Sequence, residues 1–97
     1  LPPAPSITPD TDFSGGLLRA VRQSQGTSLE QISERTKVGT NYLRCIEEED
    51  FEQLPAAVYV RGFVTEFAKC LRLDPEQVSQ SYIRRYKARM EEEEGVP

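Results

Sequence analysis

The side chains that carry most enzyme and metal chemistry are scarce in this chain. Its 97 residues include no histidine and only two cysteines. The commonest general base and metal ligand is therefore missing, and two thiolates cannot complete a four-ligand zinc site. Gly15 and Gly16 are not followed by the Lys-Ser/Thr pair of a phosphate-binding loop. We predict a non-catalytic protein that uses no cofactor and no metal.

Residues that could bind a macromolecule are concentrated in three short stretches, at positions 41–44, 59–66 and 84–89. The first has the side chains of a DNA-reading helix, the second combines aromatic and charged residues, and the third is basic. Because each stretch is useful only on a suitably oriented element, the helices that carry them must be placed first.

The two ends of the chain differ in composition from its middle. Residues 1–13 contain four of the seven prolines, which remove backbone donors and prevent regular structure, so we predict a flexible linker there. We predict a folded domain at 14–90 and an acidic, disordered tail at 91–97. The absence of an initiating methionine suggests a piece of a longer protein.

Hydrophobic spacing and capping residues predict five helices between these ends. The expected ranges are roughly 14–25, 29–36, 41–48, 58–73 and 75 onward. Gly26 suits the end of the first helix, and Ser28 with Gln31 forms a capping box for the second. Thr40 is expected to cap the third helix. Asp74 is expected to cap the fifth, with Pro75 in its first position and Gln77 completing a second capping box.

The second and third predicted helices are short and are joined by Lys37-Val38-Gly39. That spacing is typical of a helix-turn-helix. Phe51 and Leu54 in the following loop are expected to fill the core. Cys45 and Cys70 fall in helices, so we predict free, buried or half-buried thiols and a reducing, cytoplasmic location.

The order of these segments resembles the cytoplasmic helix-turn-helix domain of the RodZ-like family. The resemblance covers residues 14–86 and is most specific at Val58-Tyr59-Val60-Arg61-Gly62-Phe63 and Leu73-Asp74-Pro75-Glu76. It implies an all-α, five-helix fold similar to lambda repressor and other XRE-type proteins. It also implies docking to MreB, an actin-like protein, through the start of the fourth helix.

Helical spacing gives that fourth helix two apolar stripes. Val60, Val64, Phe67 and Leu71 form one, which suffices to dock the helix on a core. The second contains Tyr59, Phe63 and Cys70, with Glu66 among them. The predicted partner-binding residues are Tyr59, Arg61, Phe63 and Glu66. A core role for Phe63 is the alternative, and Gly62 is expected to admit either another helix or a partner.

DNA binding by an XRE-type transcriptional regulator is a second hypothesis. Asn41, Tyr42 and Arg44 would be the residues that face DNA. Residues 37–53, however, carry two cations against five carboxylates, a net charge of −3. Since affinity for DNA depends largely on neutralising phosphates, this charge disfavours sequence-specific binding.

The cations at the end of the fifth helix form a basic patch, listed here as Arg84, Arg85, Lys87 and Arg89. The patch is suited to anionic lipid, nucleic acid or an acidic partner. Alternatively, these cations only complement the helix dipole and the glutamates that follow.

The surroundings of the domain leave a third hypothesis open. In the RodZ-like family the domain usually begins the protein and is followed by a basic stretch and one membrane helix. Here a proline-rich stretch precedes it and acidic residues follow. An adaptor domain of another multidomain cytosolic protein is therefore also consistent with the sequence.

Overall fold

The computed structural model describes residues 1–94 and contains five α-helices. The helices are α1 Gly15–Ser24, α2 Leu29–Thr36, α3 Thr40–Glu48, α4 Ala57–Cys70 and α5 Pro75–Glu94. A single turn of 3₁₀-helix, Phe51–Gln53, separates α3 from α4. Within residues 1–94 there is no strand. The predicted all-α, five-helix fold is confirmed.

Local signals set the ends of the first two helices. Ser14 Oγ accepts a hydrogen bond from the Leu17 N–H at 3.0 Å and caps α1. Ser28 and Gln31 form the predicted capping box, with N···O distances of 2.8 and 3.1 Å. Gly26 follows α1 with φ of 65°, the left-handed conformation expected of it. The helix-turn-helix therefore begins where the sequence predicts.

Two predicted helix ends are wrong by a few residues. Gly39, in extended conformation, is the N-cap of α3, and Thr40 is already the first helical residue, without a side-chain cap. Helix α4 ends at Cys70 instead of Leu73, because Arg72 adopts a left-handed φ of 60° that stops the helix.

The capping box predicted for α5 forms only in its first half. Asp74 Oδ1 accepts the N–H groups of Glu76 and Gln77 at 3.0 and 3.3 Å. The Gln77 amide does not return to the cap. It donates to the carbonyl oxygens of Thr8 and Thr11, at 2.8 and 3.2 Å, and so holds the N-terminal segment against α5.

The core lies between α4, α5 and the helix-turn-helix, and α4 and α5 make the most extensive contact. The predicted stripe of α4 is buried, as are Phe51 and Leu54. The largest fully buried side chains are Phe13, Leu18, Ile32, Leu43, Ile46, Val60, Val64, Phe67, Leu71, Val78 and Tyr82.

Phe13 is the main departure from the predicted linker at 1–13. Its ring is fully buried, and its N–H donates to the buried Ser81 Oγ at 3.0 Å. Burial of an aromatic ring in the core is strongly favourable. Proline prevents regular secondary structure but does not prevent a neighbouring side chain from being buried. The end of the predicted linker is thus part of the packed domain.

The predicted tail at 91–97 also begins differently. Helix α5 continues to Glu94, because glutamate is a good helix former and lies at helical spacing from Lys87 and Arg89. Residues 95–97 of the predicted tail lie outside the described residues. Over the described range, no helix combines the length and the apolar character needed to cross a bilayer.

Candidate protein-interaction surface

The first turns of α4 present apolar side chains to solvent. Val58 is 71% exposed and Tyr59 is 60% exposed. Glu66 is exposed on the same side, since seven residues make almost two helical turns. Val58 and Tyr59 together form a small exposed apolar patch, and tyrosine is enriched at protein interfaces.

An aromatic pair extends this face toward α3. The rings of Tyr42 and Phe63 stack with centroids 5.3 Å apart and an interplanar angle of 23°. Phe63 is half-buried against the edge of the core, whereas Tyr42 is 39% exposed. Phe63 thus contributes to both the core edge and the surface. Tyr42, which the sequence suggests as a DNA-facing residue, lies against another protein ring.

Arg61 is exposed but is not brought together with the aromatic side chains. Two residues correspond to about 200° of helical rotation, so Arg61 and Tyr59 lie on opposite sides of α4. Glu66 contacts Lys69 Nζ at 3.8 Å, an exposed pair that stays accessible to a partner. Of the four predicted partner-binding residues, Tyr59, Phe63 and Glu66 share one side of the helix and Arg61 does not.

The other two predicted DNA-facing residues bind each other. Arg44 Nη1 donates to Asn41 Oδ1 at 3.0 Å, and both residues are exposed. They border an open depression of about 640 Å³ at the start of α3, which Cys45 and Gln53 also line. All three predicted DNA-facing residues therefore contact other side chains of the protein: Asn41 and Arg44 contact each other, and Tyr42 contacts Phe63 of α4.

The acidity of α3 is largely neutralised inside the molecule. Glu47 is buried and accepts hydrogen bonds from Arg22 Nε at 2.6 Å and Nη2 at 2.9 Å, and from Arg19 Nε at 3.2 Å. Glu48 contacts Arg19 Nη2 at 3.7 Å. The net charge of −3 counted along the sequence therefore overstates the repulsion that DNA would meet at this helix.

Glu49, which follows α3, links the start of α1 to α5. Its carboxylate accepts hydrogen bonds from the Gly15 N–H at 2.8 Å and from Arg85 at 2.9–3.1 Å. Arg89 Nη2 lies 3.3 Å away. Burial by itself would raise the pKa of Glu49, but these hydrogen bonds and the two guanidinium charges outweigh it and lower the pKa.

The predicted basic patch is mostly occupied by such contacts. Arg84 pairs with Asp12 at 3.1 Å, and Arg85 and Arg89 pair with Glu49. The Arg89 guanidinium also lies 5.1 Å from the centre of the Phe51 ring. These acidic partners, Asp12 and Glu49, lie outside α5. Lys87 is exposed.

The cysteines are free thiols, as predicted, and both are half-buried. Burial raises the pKa of Cys45 and of Cys70, and nearby carboxylates add to this effect although Arg44 and Arg35, respectively, oppose it. Raised pKa values disfavour the reactive thiolate form. Among residues 1–94, no group of three or more cysteine and acidic side chains is arranged to hold a metal ion.

Sequence reasoning missed two members of this surface. Val58 was not assigned to it, although helical spacing from the buried stripe places Val58 toward solvent. Tyr42 is predicted from the sequence to face DNA. Its stacking on Phe63 could not be predicted, because it depends on how α3 and α4 cross and has no local sequence pattern. We use the name docking surface for this candidate interaction site, which consists of Tyr42, Val58, Tyr59, Phe63 and Glu66.

Comparison with known proteins agrees with this architecture. Residues 17–78 match a family model described as a helix-turn-helix domain. The cytoskeleton protein RodZ of Streptococcus pneumoniae (strain ATCC BAA-255 / R6) is 35% identical over 68 residues, which cover 70% of this chain and 25% of RodZ. The uncharacterized membrane protein YmfM of Bacillus subtilis (strain 168) is 31% identical over 55 residues, which cover 57% of this chain and 19% of YmfM. No solved structure matches significantly.

The chain thus spans about a quarter of the length of the RodZ relative and a fifth of YmfM. The family model covers most of α1, all of α2 to α4 and the beginning of α5, including the whole helix-turn-helix. The resemblance deduced from the sequence is confirmed: the chain belongs to the helix-turn-helix domain family, and its domain is RodZ-like.

Proposed function

We propose that this domain is a non-catalytic module that docks an actin-like filament protein of the MreB type through the docking surface. The observation that carries the proposal is the exposure of Val58 and Tyr59 at the start of α4, at 71% and 60%. Such side chains add little to a helix in water, but they become favourable when a partner covers them. The relation to a cytoskeleton protein supports an actin-like partner.

The placement of the other side chains supports a protein partner over DNA. Tyr42 is stacked on Phe63, and Asn41 binds Arg44, so the residues that would read bases are engaged with protein groups. Three arginines of the basic patch are paired with Asp12 or Glu49. Their charges are partly neutralised by these pairs, which reduces their attraction for phosphates. The module acts in the cytoplasm on this proposal, beneath a membrane when its parent protein is anchored there.

A binding measurement with the MreB-type protein of the same genome tests the proposal. Tyr59→Ala should raise the Kd at least about tenfold, as expected for a tyrosine central to an interface. Because Tyr59 is mostly exposed, the free energy of unfolding should change by less than about 0.5 kcal/mol. Leu1→Ala is a matched control, since it removes an apolar side chain that is 92% exposed but lies at the N-terminus.

Two results would contradict the proposal. One is an unchanged Kd for Tyr59→Ala. The other is salt-dependent binding of random duplex DNA that disappears on Arg44→Ala, because that outcome assigns the domain to transcription instead. The second arm uses the same proteins and a gel-shift assay at moderate ionic strength.

A further inference from the structure

Gly62 lies in the middle of α4, where glycine destabilises a helix relative to alanine. The other helical glycines of the described range, Gly15 and Gly16, are in the first turn of α1. A glycine in a helix interior is usually explained by a left-handed backbone or by a neighbour that approaches too closely for a side chain. The contacts around Gly62 decide between these explanations.

Nothing within the molecule requires a glycine at this position. Gly62 has no positive φ, and a Cβ built on it meets no neighbouring atom within 4 Å. Gly15 behaves in the opposite way, because a Cβ there would collide with the carbonyl oxygens of Ile46 and Glu47. The fold explains Gly15 and leaves Gly62 without a structural reason.

The position of Gly62 on the surface of α4 indicates a reason that lies outside the fold. Residues three and four positions away are its neighbours on the helix surface, namely Val58, Tyr59, Thr65 and Glu66. Val58, Tyr59 and Glu66 are exposed, and Thr65 is half-buried with its hydroxyl bonded to the Arg61 carbonyl at 2.7 Å. Gly62 is therefore a gap between raised side chains on the open side of α4.

We propose that Gly62 is the point of closest approach for the actin-like partner, whose main chain contacts the Gly62 Cα between Val58, Tyr59 and Glu66. This inference rests on the proposed function. Helices that carry ordinary side chains keep their axes about 8–10 Å apart, whereas glycine lets backbones come closer. Because no side chain at position 62 keeps the partner at a distance, Val58 and Tyr59 can make full contact with it.

Gly62→Ala separates this role from a structural one, because it should change stability and binding in opposite directions. In the absence of any close neighbour, alanine should raise the unfolding temperature of the 97-residue chain by about 4–8 °C. The added methyl group should raise the Kd for the MreB-type protein at least about tenfold, and Gly62→Leu should raise it further. Gly16→Ala is the matched control, since it adds the same methyl group at an exposed helical glycine remote from α4, and its Kd should equal that of the wild type.

The outcomes are distinguishable from those of the proposed function. An unchanged Kd for Gly62→Ala, with weaker binding by Tyr59→Ala, overturns this inference and leaves the docking surface in place. A lower unfolding temperature for Gly62→Ala also overturns it, because the fold would then need the glycine. If the wild type does not bind, or if neither variant weakens binding, the proposed function fails and this inference fails with it.

Discussion

The carboxylate of Glu47 is held by the guanidinium of Arg22 in a nearly enclosed ion pair between α3 and α1. Arg22 Nε lies 2.6 Å from Glu47 Oε2 and Nη2 lies 2.9 Å from Oε1, a bidentate arrangement. The Arg22 side chain is 14% exposed and the Glu47 side chain is 1% exposed. Arg22 Nη1 also donates to the Thr27 carbonyl at 2.9 Å. This pair fixes the helix-turn-helix against the first helix.

Removing Arg22 should therefore be far more damaging than removing a surface arginine. Arg22→Ala leaves a buried carboxylate with only Arg19 near it, and we expect a loss on the order of 3 kcal/mol in the free energy of unfolding. Arg19→Ala is the control, because Arg19 contacts the same carboxylate but its side chain is 41% exposed. Its cost should stay below about 1 kcal/mol. Urea unfolding followed by circular dichroism measures both, and equal losses would contradict the distinction.

Glu49 gives the domain a defined response to acid. Its pKa is lower in the folded chain than the usual 4.5, so folding favours the ionised form. The stability that this group contributes is fully present above its unfolded pKa and is lost as the pH falls through the folded value. We expect the free energy of unfolding to decrease below about pH 4.5.

Glu49→Gln is the variant that isolates this effect. The amide cannot pair with Arg85 and Arg89 as an anion, so the variant should be less stable than the wild type near neutral pH. Its stability should also change less between about pH 5 and pH 3. Denaturant titrations at several pH values, with Glu52→Gln as an exposed control, provide the measurement. Parallel pH profiles for wild type and Glu49→Gln would show that other groups cause the acid response.

These ion pairs explain why the charge map could be read only in part from the sequence. The counts of acids and bases were correct, but Glu47 meets Arg22 at a separation of 25 residues and Glu49 meets Arg89 at 40. Periodicity and capping are local and predicted the helices, the turn and the buried stripe of α4. Which charges neutralise each other depends on how α1, α3 and α5 pack, so a count along the sequence overstates the acidity that α3 presents to solvent.

The burial of Phe13 has a local signal in the sequence. Ser14 caps α1, which puts Phe13 immediately before the cap and Leu18 at the fourth helical position. This is the spacing of a hydrophobic staple, and both side chains are fully buried. Proline-rich composition predicts irregular backbone but says nothing of a single aromatic residue at its end. By contrast, the stacking of Tyr42 on Phe63 has no local signal, so this part of the docking surface could not be predicted from the sequence.

Gly15 lies where α1 packs closely against the backbone of α3. A Cβ at this position would collide with the carbonyl oxygens of Ile46 and Glu47, which belong to the backbone of α3 and cannot rotate away. The neighbourhood is also fixed by the Gly15 N–H, which donates to Glu49 at 2.8 Å, and by the hydroxyl of Tyr82, which donates to the Ile46 carbonyl at 2.7 Å. We expect Gly15→Ala to lower the free energy of unfolding by about 1–3 kcal/mol.

Gly16→Ala is again the matched control, because the nearest atom to its Cβ is Ser14 Oγ at 3.9 Å, an ordinary contact. That substitution should leave stability unchanged or raise it by about 0.5 kcal/mol, since alanine restricts the unfolded chain. Denaturant unfolding of both variants makes the comparison. If Gly15→Ala were as stable as Gly16→Ala, α1 and α3 would have to separate readily, and the close contact of α1 with the helix-turn-helix could not be what fixes its orientation.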